Sequence, residues 1–98
     1  MRPLTIDLGQ AHLRPYFLWD EDVSVQELKD RLRGPDSAER GRLLAKLLRE
    51  ARDIDVWEFV TPEEVAHALP AVRHRLGRRL GFWEFLIDGW RADGILRG

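Results

Sequence analysis

Ninety-eight residues carrying 16 Lys and Arg against 17 Asp and Glu have a formal net charge of -1, so no global field draws the chain toward nucleic acid. Cysteine is absent, which excludes disulfides, thiolate metal sites and a cysteine nucleophile, and no apolar stretch reaches the length of a membrane span. One soluble, cytoplasmic domain is the expectation, and its charge is uneven: acids outnumber bases through Leu69, whereas Arg73 to Arg79 holds four arginines and one histidine with no acid.

At the start, Leu4, Ile6 and Leu8 alternate with Thr5 and Asp7, a pattern that suits a short strand or an extended arm but not the apolar core of a signal peptide. The expected division is therefore an N-terminal arm over 1–14 and a helical domain over 15–98. Pro15-Tyr16-Phe17-Leu18-Trp19-Asp20 then packs three aromatics into six positions, either to plug the core or to present a docking surface. Ser24-Val25-Gln26-Glu27 fits a capping box and predicts a helix from Val25 to Arg33, stopped by Gly34-Pro35. Asp36 with Glu39 starts the next helix, in which Leu43, Leu44, Leu47, Leu48 and Ala51 share one face.

Asp53 is expected to cap a short helix carrying Ile54, Trp57 and Val60, and Thr61-Pro62-Glu63-Glu64 opens another with proline at its first position. Pro70 should end that helix, leaving 70–77 as a turn or a basic loop. In the last helix Leu80, Trp83, Leu86, Ile87 and Trp90 form an apolar stripe, with Phe82 and Phe85 off it. The fold class expected is all-α, a single compact domain of four or five short helices, centred on the leucine-rich one.

Catalytic signatures are lacking. His12, His67 and His74 match no zinc spacing, and His67 falls near a helix end where a protonated imidazole would suit the dipole. Ser24, Ser37 and Thr61 sit where helix starts use hydroxyl residues, and the carboxylates at 20–22, 53, 55, 63 and 64 suit loops and first turns. No phosphate loop or dinucleotide fingerprint occurs, so no enzyme, cofactor or metal is expected. Closely spaced guanidinium groups can grip phosphates or an acidic protein surface, but Pro70 and Gly77 interrupt the segment where a helix-turn-helix needs a continuous recognition helix. The surplus of aromatics beside arginine is the composition that protein interfaces favour.

From Pro15 to about Trp90 the chain resembles a family of small uncharacterised bacterial proteins of the DUF6922-like kind. The resemblance rests on Pro15 to Asp20, Glu50-Ala51-Arg52, Asp55-Val56-Trp57, Thr61-Pro62-Glu63-Glu64-Val65 and Trp83-Glu84. It implies an antitoxin or accessory subunit, since such proteins are often encoded beside nucleotidyltransferase-like toxins. The expectation is thus a protein-interaction module anchored by Tyr16, Phe17 and Trp19, with Arg75, Arg78 and Arg79 meeting acidic groups on the partner. The alternatives are a nucleic-acid-binding regulator using residues 73–79 and a homo-oligomeric module whose aromatics pair with their own copies.

Overall fold

A computed structural model of the protein describes residues 1–96, in the order β1 (Leu4–Thr5), β2 (Arg14–Pro15), α1 (Val25–Leu32), α2 (Ser37–Glu50), α3 (Asp53–Val56), α4 (Pro62–Val72), a 3-10 turn (Arg73–Arg75) and α5 (Arg79–Ala92). The domain is helical, with one small parallel ladder pairing Leu4 with Arg14 and Thr5 with Pro15. At the centre lies α2, which touches α1, α3, α4, the 3-10 turn and α5. The run from Leu43 to Leu48 is buried throughout, Lys46 included, and in the second half of the helix only Arg49 and Glu50 at its close are exposed.

Three helices start as their sequences dictate. Ser24 Oγ accepts from the Glu27 amide at 3.0 Å while the Glu27 carboxylate accepts from the Ser24 amide. Thr61 and Glu64 repeat the arrangement at α4, and Asp36 accepts from the Glu39 amide at α2. The first-turn amides of α1 that its own box leaves free are taken by the preceding segment, Val25 donating to the Leu13 carbonyl and Gln26 to that of Ala11. Residues 1–14, expected as an arm, are therefore laid onto α1, with Leu8 and Arg14 buried. The ladder's second strand escaped prediction because two residues show no alternation.

Other departures have local causes. Asp53 is the first residue inside α3 rather than its cap; Arg52 holds the cap position without a side-chain hydrogen bond. That helix ends at Val56, before it can share a face with Trp57 and Val60, and Ile54 faces solvent. Pro70 does not end α4, which runs on to Val72. Proline removes one amide donor there, but the ring is exposed and burial of Leu69 and Val72 holds the last turn on the core. As a result His67 lies in mid-helix instead of near the helix end. Leu76 is fully buried beneath the 3-10 turn, and Gly77 turns the chain into α5 at φ +54, a backbone region costly for any residue with a Cβ.

The end of α2 organises the remainder. An extended Ala51 stops the helix, so the Arg52 amide and the Leu48 carbonyl, which would pair in one more turn, are separated. Tyr16 Oη accepts from the Arg52 amide at 2.8 Å, and Trp83 Nε1 donates to the Leu48 carbonyl at 2.8 Å. Two aromatics from opposite ends of the sequence thus replace one helical hydrogen bond.

Candidate functional site

The aromatic run is held by a buried arginine. Arg14 donates through Nε to the Arg2 carbonyl and through Nη1 to those of Leu18, Trp19 and Glu21, the last three at 3.1 to 3.4 Å. Its charge thus lies against carbonyl dipoles, and the forked guanidinium sets the path of the loop from Leu18 to Glu21. On that path the three aromatics part company. Phe17 is 2% exposed, edge-on to Phe59 with ring centroids 5.7 Å apart, and belongs to the core. This corrects the expectation of an anchor at Phe17, because a buried ring has no surface to offer a partner.

Tyr16 is half-buried and engaged: its hydroxyl donates to Asp55 at 2.5 Å while accepting from Arg52. Burial, followed by the Asp55 carboxylate, raises its pKa above the usual tyrosine value. Trp19 is the aromatic left outside, 63% exposed. The next residue, Asp20, takes the Lys46 ammonium together with Glu21, and Glu21 also holds Arg42 by two hydrogen bonds of 2.9 and 3.0 Å. Burial opposes the Lys46 charge, yet the two carboxylates outweigh it and keep its pKa above the ordinary lysine value. Hydrogen bonding from Arg42, ahead of that from Lys46, draws the Glu21 carboxyl down to about 2.

The basic segment divides in the same way. Arg73 pairs with Glu84 at 3.1 Å. Arg79 donates to the Ala51 carbonyl at 3.3 Å, and its guanidinium lies 5.1 Å from the Phe82 ring centroid, so this residue ties α5 to the end of α2. The side chains of Arg75 and Arg78 have no acidic partner among the described residues. Arg75 lies on a groove of about 450 Å³ lined also by Arg42, Ala45, Lys46, Arg49, His74 and Gly77, and its carbonyl accepts from Arg49 Nη1. The contribution of α2 to this groove was missed, although Arg42, Lys46 and Arg49 stand at i, i+4 and i+7.

Trp19 and the groove meet through Asp20, which is chain neighbour to the one and ion-pair partner of Lys46 in the other. The surface that results joins an exposed indole, through Asp20, to a cationic groove. There Asp20 and Glu21 hold Lys46, Glu21 and Glu39 hold Arg42, and Glu50 pairs with Arg49, so that Arg75 is the arginine of the groove without an acidic partner among the described residues. Such a surface can bury a large apolar group and pair carboxylates or phosphates. Arg78 lies one residue past Gly77, at the start of α5. Among the described residues no three His, Asp or Glu side chains gather to hold a metal ion, and no helix is long and apolar enough to cross a membrane. Comparison with protein-family models, curated proteins and solved structures finds no match.

Proposed function

We propose that this chain is a protein-interaction module that docks a larger partner through Trp19, with Arg75 meeting acidic groups at the edge of the contact. The observation that carries the reading is the 63% exposure of Trp19 on a loop whose backbone Arg14 holds in place. An aromatic carried on backbone that is already fixed loses less freedom on binding, and tryptophan, tyrosine and arginine are the residues most enriched among those that dominate interface energy. In its specific form the proposal is an antitoxin-like or accessory subunit of a nucleotidyltransferase-like partner, the role implied by the resemblance over Pro15 to Trp90.

The test is nuclease-treated affinity capture of the tagged chain from its native host, identification of the protein that co-elutes near stoichiometry, and calorimetry of the purified pair. Trp19→Ala should weaken binding at least tenfold, and Arg75→Glu should weaken it in a salt-dependent manner. Equal affinity of wild type and Trp19→Ala would sink the proposal. No co-eluting protein, with DNA or RNA recovered when the nuclease is omitted and an affinity that falls steeply as salt rises, would transfer the groove to nucleic acid.

A further inference from the structure

The outward face of α5 is neither used by the core nor part of the Trp19 surface. Trp83 and Ile87 carry the buried side, and Glu84 on one flank reaches back to Arg73 at the end of α4. On the opposite side Phe85, near the helix midpoint, is 80% exposed, more than any other aromatic among the described residues. Gly81 and Gly89 stand one turn before and one turn after it, on the same face. Glycine is a poor helix former, and the protein's own packing does not require it at either position, since an added Cβ would meet nothing within 4 Å. Charge is graded along the helix: Arg78 precedes it without an acidic partner among the described residues, whereas Asp88 and Asp93 close it. Arg91 stands between those two and reaches Asp88 at 3.9 Å, so that end keeps an acidic excess of one among the described residues.

We propose that this face binds a second copy of the chain, the two α5 helices lying antiparallel about a two-fold axis that passes close to Phe85. Each feature is then self-complementary, as an isologous contact demands. Helical side chains lean toward their own N-terminus, so each Phe85 ring comes to rest over the opposing Gly89, where the missing side chain leaves room. Half-buried Phe82 and Leu86 extend the apolar strip. Antiparallel pairing brings Arg78 to the acidic end of the opposite helix, near Asp88 and Asp93, and sets the two helix dipoles against each other favourably. A parallel arrangement would set Arg78 against its own copy and away from Asp88 and Asp93.

The experiment is sedimentation equilibrium of the full chain over micromolar to millimolar concentration. The mass should rise from the 11.5 kDa of one chain toward twice that value, and Phe85→Glu should hold it at one chain throughout. Gly89→Leu, a change that favours the helix itself, should weaken dimerisation at least tenfold while circular dichroism shows the fold intact. Arg78→Glu should weaken it and Arg78→Glu with Asp93→Arg should restore it, a reciprocity that general destabilisation does not mimic. Trp19→Ala should dimerise as wild type does, which separates this contact from the partner surface proposed above. A wild-type mass fixed at one chain up to millimolar concentration, or a dimer indifferent to both Phe85→Glu and Gly89→Leu, overturns the proposal.

Discussion

Replacing Trp83 with phenylalanine tests the load placed on the end of α2. The indole is fully buried, lies edge-on to Trp57 with centroids 5.8 Å apart, and gives its N–H to the Leu48 carbonyl at 2.8 Å. Phenylalanine keeps an aromatic ring but leaves that carbonyl with no donor, because the amide that would serve it, that of Arg52, is committed to Tyr16. An unsatisfied buried carbonyl costs about 1–3 kcal/mol. The smaller ring leaves roughly 40 Å³ unfilled, which adds about 1 kcal/mol. The expected loss is therefore about 2–4 kcal/mol, a large share of the ~5–15 kcal/mol that holds a domain of this kind together. In urea, with a slope of about 2 kcal/mol/M, the midpoint should fall by about 1–2 M when unfolding is followed by far-ultraviolet circular dichroism. A loss below about 1 kcal/mol with unchanged slope would refute the reasoning, since it would mean the Leu48 carbonyl does not depend on the indole.

Phe17→Ala should cost about 3–5 kcal/mol and Trp19→Ala less than about 0.5 kcal/mol in the same urea titration, although the two rings are two residues apart. Glu21 has a folded-state pKa of about 2 against 4.5 for the free side chain. Its contribution is thus present above about pH 4.5 and lost as pH falls toward 2; the shift corresponds to ~3 kcal/mol, which solvent access reduces to about 1–2 kcal/mol. Urea midpoints of wild type and Glu21→Gln should accordingly converge between pH 4.5 and pH 2, and parallel curves would show that the Arg42 and Lys46 pairs contribute nothing. Gly77→Ala should cost about 1–2 kcal/mol, because φ +54 is a left-handed conformation, and a thermal melt that does not shift would contradict it.

Helix starts were legible because their determinants lie within four consecutive residues: Ser24 to Glu27, Asp36 to Glu39 and Thr61 to Glu64. The leucine face of α2 was legible for the same reason, as its repeat spans several turns. What the sequence could not separate was Phe17 from Trp19. Neither lies in a periodic element, and the choice of which ring enters the core is made by Arg14 gripping the carbonyls that follow. Arginines were equally indistinguishable on paper, for Arg75 and Arg79 differ only in whether Ala51 and Phe82 lie within reach, a matter of how α5 meets α2. The persistence of α4 past Pro70 was missed because a local rule was outweighed by burial of residues on either side.

The exchange of partners at the close of α2 also governs how the molecule comes apart. The groups that complete this helix lie 36 positions before Arg52 and 35 positions after Leu48, so neither half of the chain contains all that the central helix needs. Opening from the C-terminal end would strip the buried Leu48 carbonyl of its partner, and opening from the N-terminal end would take the Tyr16 hydroxyl from the Arg52 amide, so intermediates lacking either terminus leave the helix incomplete. Amide protons in the last turns of α2 should exchange with solvent only when the whole domain unfolds, at the rate set by its global free energy.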